Sequence, residues 1–456
     1  MYAAGSLTPS QVAASALEHA AQVNPVLNAF AWLDVAGAHA SAEASTHRWC
    51  SGKPLSNIDG MVIAIKEFAA VKGWPTRRGS LLTDESASTF DSLFVNRLKA
   101  AGAILLGKTR SPELNWKGVT DSPGFGITRN PLDVELTPGG SSGGCSAAVA
   151  AGVVRVSIGS DAAGSVRIPA AFTGILGLKP TQGRIPIVPY ASHFSGLAHF
   201  GPLGRCPHDI ADVLEVIAGA DPNDWTSTTG NTCAFLSSDL VQTSSDSAIR
   251  SLRVGVVGRH NLGKMASTVE QGLEEFIHLI EHAGLTCRSV ELPLHDANQA
   301  ASLLYRWGCA QSVKGLGMHD PAIFQQKLDP GLHDYLTYAN NLTVDRLTHA
   351  LAQRDLFASQ LNTLFEQYDV LILPTVGILP FKAGQNTPDP LENNDWLSWN
   401  NYTPAFNLVR NPVLSYPVWS KASNLPIGVQ IVSRPLEENT LLGLADALLK
   451  TEPDMH

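Results

Sequence analysis

The sequence of 456 residues lacks the features that mark membrane, secreted and nucleic-acid-binding proteins. No apolar run reaches the ~18 residues that a membrane-spanning helix needs, and residues 1–7 lack the charged and then apolar segments of a secretory signal. Basic residues are few, since 32 Lys and Arg stand against 41 Asp and Glu, giving a formal net charge of -9. Such a surface does not attract nucleic acids or anionic membranes, so we expect a cytoplasmic protein that binds neither.

Closely paired cysteines are also lacking. The six cysteines stand at positions 50, 145, 206, 233, 287 and 309, without any C-x-x-C spacing. This scatter predicts reduced, buried thiols in a cytosolic protein and excludes a tight disulfide framework. We interpret Cys145, which stands close to two serines, as a small core residue.

What the sequence does contain is an alternation of helix and strand signals. Thr8 is a typical N-cap residue and a proline follows it, which predicts a helix over residues 9–23. Other apolar patterns predict helices at 212–218, 269–283 and 347–367, and strands at 61–66, 103–106, 153–158, 254–257, 370–373 and 429–432. The order predicts an α/β fold. Polar residues 221–250 suggest a surface loop, and residues 376–400 an irregular lid or wall.

Residues 137–186 are the most informative segment, because serines and glycines there surround two short apolar runs. Glycines flank Ser141 and Ser142 and permit backbone conformations that are closed to other residues. Ser165 follows Ala163 and Gly164, and such small residues allow several backbone N–H groups to converge on one point, as an oxyanion site requires. A flexible linker is disfavoured because the apolar runs are too long to be left in water.

The segment resembles the amidase signature family of amide hydrolases, and the resemblance extends over nearly the whole chain. Matching motifs occur at 62–66, 73–76, 79–80, 107–109, 130–131, 177–181, 183–184, 201–203, 209–224, 373–375, 406–407 and 425–430. The signature core lies at about 60–220, and residues from about 292 to 400 are the least recognisable. The resemblance implies one amidase domain over residues 1–456, with a large twisted mixed β-sheet flanked by helices on both faces.

Carried over residue by residue, the resemblance implies that Ser165 is the nucleophile, Ser141 the bridging serine after a cis peptide bond, and Lys66 the base. A serine hydroxyl needs a neighbouring base, and lysine can serve only when it is neutral. Because a free lysine has a pKa of about 10.4, we expect Lys66 to be buried among apolar neighbours. No metal or cofactor is implied.

The family's oxyanion hole maps to the backbone N–H groups of Ala162, Ala163, Gly164 and Ser165. Two glycines usually precede the nucleophile, so Ala163 departs from the pattern, at an energetic cost if its φ must be positive. Glu67 is a second departure, since aspartate usually follows the lysine.

Asp161 and Arg167 bracket the nucleophile loop, and we interpret them as a buried pair that holds this loop. Asn115 and Trp116 match positions that line the acyl channel in the family. Trp74, Tyr190, Phe194 and Tyr402 are candidates for further aromatic walls, although such residues more often form part of a core.

Residues 102–109 satisfy the Walker A pattern, but their middle residues are apolar and follow a predicted helix. We therefore interpret them as a core strand.

Residues 140–144 match the G-x-S-x-G elbow of α/β-hydrolases, which would make Ser142 the nucleophile. The elbow requires a strand directly before it, and residues 137–139 are a poor strand end. Ser142 is better interpreted as a residue at a helix N-terminus that supports the site.

His278, Glu281 and His282 have the spacing of an inverted zinc peptidase motif. Their helix places them on its polar side, which favours a solvated face over a zinc site.

These observations predict an amidase acting on a small-molecule amide, with carbamates (urethanes), anilides or esters as further substrates. One alternative within the family is a glutamine amidotransferase subunit acting on charged tRNA. Residues 332–356 contain Tyr335, Tyr338, Arg346 and Arg354 but not the pattern by which that subunit grips an α-carboxylate. The intact Lys66, Ser141 and Ser165 disfavour a non-catalytic binding protein. Either a monomer or a homodimer is compatible with the sequence.

Overall fold

Thirteen β-strands lie in the computed structural model, which describes residues 1–189, 193, 194, 196–228, 246–317, 321–420 and 423–451. They are β1 (Phe30–Leu33), β2 (Val62–Lys66), β3 (Ile104–Thr109), β4 (Asp121–Ser122), β5 (Gly126–Ile127), β6 (Val156–Asp161), β7 (Leu176–Lys179), β8 (His199–Gly204), β9 (Arg253–Val257), β10 (Thr286–Val290), β11 (Val370–Pro374), β12 (Val413–Val418) and β13 (Ile427–Ser433).

Eleven of these strands form one mixed sheet, in the order β1-β3-β2-β6-β8-β7-β12-β13-β11-β9-β10, while β4 and β5 pair only with each other. Strand β2 runs parallel to both β3 and β6, and β9 runs parallel to β10 and β11. The remaining pairs in the sheet are antiparallel. All five residues of β2 are buried because it has a strand on each side and cores on both faces, as its continuous apolar run predicts.

The described residues also form thirteen α-helices. They are α1 (Pro9–Leu27), α2 (Val35–Cys50), α3 (Leu93–Ala100), α4 (Gly143–Ala150), α5 (Arg167–Thr173), α6 (Pro207–Ile217), α7 (Asp246–Arg250), α8 (Ser267–His282), α9 (His295–Lys314), α10 (Pro321–Lys327), α11 (Pro330–Asn340), α12 (Val344–Gln367) and α13 (Glu438–Thr451).

Helices cover both faces of the sheet. Val62 and Ala64 of β2 belong to a core that also contains Ala13 of α1 and Ala42 of α2. The alternate residues of the same strand, such as Ile65, belong to a second core with helices such as α3. Alternation of side chains along a strand therefore divides the interior into two layers. The predicted fold class is confirmed.

The helix predicted from Thr8 is present and longer than expected, ending at Leu27, and Thr8 forms a capping box with Gln11. Of the predicted surface loop, residues 229–245 lie outside the described residues and residues 246–250 form α7 instead. The helices of the described chain fall short of the length and apolarity that a bilayer crossing requires.

Candidate active site

Lys66 occupies the last position of β2 and is fully buried. Because β2 and β6 are parallel, their carboxyl ends meet at one edge of the sheet, which brings Ser160 of β6 close to the lysine. The Lys66 Nζ donates to the hydroxyl oxygens of Ser141 at 2.6 Å, Ser142 at 3.0 Å and Ser160 at 3.0 Å. Burial lowers the pKa of Lys66 from the usual 10.5 to about 7.

Ser141 and Ser142 lie directly before helix α4, and the Gly140–Ser141 peptide bond is cis, as the resemblance implies. A Cβ on Gly140 would lie 2.5 Å from the backbone of Val119, so this close approach requires glycine. The Ser142 hydroxyl accepts from Lys66 and donates to the Ser160 carbonyl at 3.1 Å. Ser142 thus lies at a helix N-terminus against the lysine, and the residues before it form no strand of the kind that the elbow motif requires.

Ser165 is buried in the turn between β6 and α5. The backbone N–H of Ser142 donates to the Ser165 carbonyl at 3.1 Å, which joins the two serine segments. The structure therefore brings Lys66 into direct contact with Ser141, and places the segment of Ser165 beside that of Ser141.

The loop before Ser165 departs from the four-donor oxyanion hole that the sequence predicts. The Gly164 N–H donates to Asp161 Oδ1 at 2.7 Å and is therefore occupied. No described residue accepts a hydrogen bond from the backbone N–H of Ala162, Ala163 or Ser165. Of the four N–H groups named in the prediction, three therefore have no acceptor within the described residues.

The energetic cost that a positive φ at Ala163 would carry does not arise in the structure. Ala163 is absent from the described residues that have a positive φ, whereas Gly164 has φ +114°. A Cβ on Gly164 would lie 2.1 Å from Thr403 Oγ1. The position that requires glycine is therefore 164, and alanine at 163 carries no penalty from a positive φ.

We expect Gly164→Ala to remove most activity and to destabilise the fold by about 1–3 kcal/mol from backbone strain, with the clash in addition. Gly152→Ala is the matched control, because Gly152 has φ +77° but no atom within 4 Å of its would-be Cβ. Thermal unfolding and turnover of both variants separate strain from steric overlap. Equal losses in the two variants would show that the overlap with Thr403 adds nothing to the backbone strain.

Asp161 and Arg167 form a fully buried ion pair at 3.0 Å. The Arg167 guanidinium also donates to Gln430 Oε1 at 2.7 Å and to Asn407 Oδ1 at 2.5 Å. Burial opposes the charged carboxylate, but the charge of Arg167 and the hydrogen bonds from Arg167, Asn407 and Gly164 outweigh it and hold the pKa of Asp161 below its usual range. The pair fixes the nucleophile loop to β13 and to the segment before β12.

Asp161→Asn should destabilise the protein by about 3–5 kcal/mol, because it leaves the buried Arg167 charge without a carboxylate. Glu270→Gln is the control, since its pair with Arg259 has side chains 38% and 48% exposed and should contribute no more than about 1 kcal/mol. Denaturant unfolding of both variants measures the difference. Equal losses would show that burial of the pair is unimportant.

Glu67 follows the lysine and is buried. Burial raises the pKa of Glu67, while its Oε1 accepts from the backbone N–H of Ser111 at 2.8 Å. This departure from the family pattern therefore anchors the chain just beyond β3.

Asn115 and Trp116 lie in a short turn in which Asn115 has φ +62°. Asn115 Oδ1 and Trp116 Nε1 are buried and have no hydrogen-bond partner among the described residues. The Asn115 carbonyl accepts from the Tyr305 hydroxyl at 2.7 Å.

The aromatic residues that the sequence predicts as pocket walls have different surroundings in the structure. Trp74 is a core residue whose indole N–H donates to Asp34 at 3.0 Å, while Phe194 packs on Tyr305 with ring centroids 5.5 Å apart. The Tyr402 hydroxyl donates to the Lys264 carbonyl at 3.3 Å. Tyr190 lies outside the described residues.

A cleft of about 1490 Å³ lies beside α9 and α12. Its lining does not include Lys66, Ser141 or Ser165, but it does include Asn400, whose Nδ2 donates to the Ala163 carbonyl at 2.7 Å. The cleft therefore touches the nucleophile loop through one side chain that no sequence motif marks.

Residues 104–109 of the Walker-like segment form buried β3, which confirms the core-strand interpretation. Lys108 Nζ donates to the Pro75 carbonyl at 2.6 Å and to Thr76 Oγ1 at 2.7 Å. Burial lowers its pKa to about 7.

His278, Glu281 and His282 lie on the exposed face of α8, where His278 Nδ1 is 3.5 Å from Glu281 Oε2. Within the described residues no group of three or more His, Cys, Asp or Glu side chains is arranged to hold a metal ion.

The expectation of buried thiols is only partly correct. Cys145 and Cys309 are buried, Cys206 and Cys287 are half-buried, and Cys50 is exposed. These five are free thiols, and Cys233 lies outside the described residues. Cys145 packs 3.0 Å from Thr109 Oγ1, as a core residue does.

Sequence comparison identifies relatives over almost the full length. The sequence model of the family described as Amidase matches residues 11–442. The chain is 33% identical over 470 residues to a glutamyl-tRNA(Gln) amidotransferase subunit of Roseiflexus castenholzii, covering 98% of this chain and 93% of that protein. It is 33% identical over 468 residues to the same subunit of Myxococcus xanthus, covering 98% and 94%.

Structural comparison gives the same fold in three solved proteins. A bacterial aryl acylamidase of the amidase signature enzymes superposes with a TM-score of 0.88 at 24% identity, covering 99% of this chain and 94% of that one. A 6-aminohexanoate cyclic dimer hydrolase gives 0.84 at 26%, covering 99% and 95%. The corresponding glutamyl-tRNA(Gln) amidotransferase subunit of Thermotoga maritima gives 0.77 at 26%, covering 97% and 91%.

Proposed function

Because the chain belongs to the amidase family, we propose that it hydrolyses the C–N bond of a small amide through an acyl-enzyme on Ser165. One observation carries the proposal. Lys66 Nζ lies 2.6 Å from Ser141 Oγ in a buried site, and burial brings the pKa of this lysine to about 7. A lysine with that pKa is neutral in about half of the molecules at pH 7 and can act as a base.

In the proposed reaction, Lys66 accepts a proton from Ser141, which in turn accepts the proton of Ser165. The Ser165 oxygen then attacks the carbonyl carbon, and the oxyanion accepts hydrogen bonds from the backbone N–H groups of Ala162, Ala163 and Ser165. The proton returns through Ser141 to the nitrogen, and the C–N bond breaks to release the amine. Water then attacks the acyl-enzyme by the same relay and releases the acid.

Every step uses only water and groups of the chain itself, so the proposal requires neither a metal nor a cofactor. The same nucleophile can attack the carbonyl of a carbamate, an anilide or an ester, and we include these among the proposed substrates. The buried, unpartnered Asn115 Oδ1 and Trp116 Nε1 support placing a polar group of the substrate beside them.

The curated relatives favour a second candidate, the corresponding subunit of a glutamyl-tRNA(Gln) amidotransferase. In that case the chain would release ammonia from glutamine, and partner subunits and charged tRNA would be required. The net charge of -9 would leave tRNA binding to the partners.

These relatives support the amidotransferase subunit better than the free-standing amidase. Two observations keep the free-standing amidase as our proposal beside it. In the segment that lacks the amidotransferase pattern, Arg346 donates to the Tyr338 hydroxyl at 3.2 Å, so these residues contact each other at an exposed helix junction. The cyclic dimer hydrolase also superposes better than the Thermotoga protein, with TM-scores of 0.84 and 0.77.

The purified chain is assayed alone with 4-nitroacetanilide, p-nitrophenyl acetate, a phenyl carbamate and L-glutamine. Turnover of the amide or carbamate by the chain alone supports the first function. Ammonia release from glutamine only with the other subunits of a bacterial amidotransferase and charged tRNA supports the second. No turnover in either arm contradicts both.

A further inference from the structure

The peptide group between Ala163 and Gly164 is held at both ends. Its carbonyl oxygen accepts from Asn400 Nδ2 at 2.7 Å and lies 2.8 Å from Thr403 Oγ1, while its N–H donates to Asp161 Oδ1 at 2.7 Å. Asn400 and Thr403 are buried. The plane of this peptide is therefore fixed by side chains from two distant parts of the chain.

The Thr403 hydroxyl has one proton and two acceptors within reach, the Ala163 carbonyl and Asn400 Oδ1 at 2.5 Å. Asn400 is the direct donor to the loop. The hydroxyl of Thr403 satisfies the Asn400 oxygen and thereby determines which way the amide faces, with its N–H toward Ala163.

Orientation of this peptide matters because it stands between two of the free donors. Rotation about its flanking bonds would turn the N–H of Ala163 on one side and the N–H of Ser165 on the other. Gly164, at φ +114°, has the backbone freedom to allow such rotation. An oxyanion site is effective only when its donors are held in place before the reaction.

We propose that Asn400 and Thr403 are positioning residues for the oxyanion loop: Asn400 holds the Ala163 carbonyl, and Thr403 holds the Asn400 amide. The proposal rests on the proposed acyl-enzyme function. It assigns a role to two residues in or beside the least recognisable part of the sequence. Asp395, five positions before Asn400, forms an ion pair with Arg306, which connects this segment to helix α9.

The test compares Asn400→Asp, which as a carboxylate cannot donate to the carbonyl, Thr403→Val, which keeps the shape but loses the hydroxyl, and Thr403→Ser, which restores it. Assays are run at alkaline pH, where the aspartate is ionised. Asn401→Ala is the control, because the exposed Asn401 side chain makes no hydrogen bond among the described contacts. The probes are p-nitrophenyl acetate for kcat and KM, and a fluorophosphonate for the rate at which Ser165 is labelled.

We expect Asn400→Asp and Thr403→Val to lower kcat and the labelling rate by about 10- to 100-fold, somewhat less than direct loss of an oxyanion donor, with KM changed less than about threefold. Thr403→Ser should stay within about threefold of the wild type. A role limited to folding would lower the melting temperature without this split between kcat and KM.

The proposal is overturned if folded Asn400→Asp and Thr403→Val keep wild-type kcat, or if only KM changes. Should either variant fail to fold, Thr403→Ser decides, because a loss of kcat as large as about 10-fold in this mild variant would show that the hydroxyl is not the operative group. Retention of labelling and turnover in Ser165→Ala would instead overturn the proposed function itself.

Discussion

Replacing Ser165 with alanine is expected to lower kcat by about 10⁴-fold or more. Without the Ser165 hydroxyl, Lys66 and Ser141 have no nucleophile to activate, and the acyl-enzyme cannot form. The melting temperature should change little, since the smaller side chain fits a buried turn between β6 and α5. Turnover of 4-nitroacetanilide and thermal unfolding measure the two effects.

Ser146→Ala is the matched control for that loss, because Ser146 is also buried but donates only to the carbonyl of Gly143. Mass spectrometry after fluorophosphonate treatment should find the adduct on the peptide that contains Ser165. An adduct on Ser142 would support the elbow interpretation and reject Ser165 as the nucleophile.

The second large effect concerns pH. Since Lys66 acts as a base only when neutral, and its pKa is about 7, kcat/KM should rise about tenfold per unit below pH 7 and level off above it. Lys66→Ala should remove both the rise and most of the rate. The loss should be larger for an anilide than for p-nitrophenyl acetate, because an amine leaving group needs the returned proton and a phenoxide does not.

Lys108 offers a stringent control for this assignment, because burial also lowers its pKa to about 7 while its Nζ contacts Pro75 and Thr76. Lys108→Met should therefore retain the rise with pH. If Lys66→Ala keeps the wild-type profile and Lys108→Met loses it, the base has been wrongly assigned.

The sequence predicts those parts of the fold whose signals are local. The run of β2 is continuous and apolar, and its burial on both faces follows from that run. By contrast, β8 contains two glycines and a proline, so no propensity or alternation marks it, and only its neighbours β6 and β7 determine its place.

The same distinction applies to the site. Lys66, Ser141 and Ser165 stand in recognisable motifs, and hydrogen-bond geometry agrees with their proximity. Asn400 and Thr403 are single polar residues in a segment without periodicity, and nothing local indicates that they contact Ala163 some 240 positions earlier in the chain. The partner of the Gly164 N–H, Asp161, is only three positions away. The direction of its carboxylate nevertheless depends on a distant residue, because Asn407 donates to the same oxygen.

Arg167 connects the nucleophile loop to Asn407 and Gln430, which lie in the last eighth of the chain. During synthesis, Lys66, Ser141 and Ser165 therefore emerge from the ribosome long before Asn407 and Gln430, the residues that hold Arg167, have been added to the chain. A nascent chain or a fragment ending near residue 400 would carry all three reactive residues and still leave the Arg167 guanidinium short of two acceptors. We therefore expect the proposed activity to appear only once the final strands have been made, and a truncation that removes Asn407 and Gln430 should abolish it as completely as loss of Ser165.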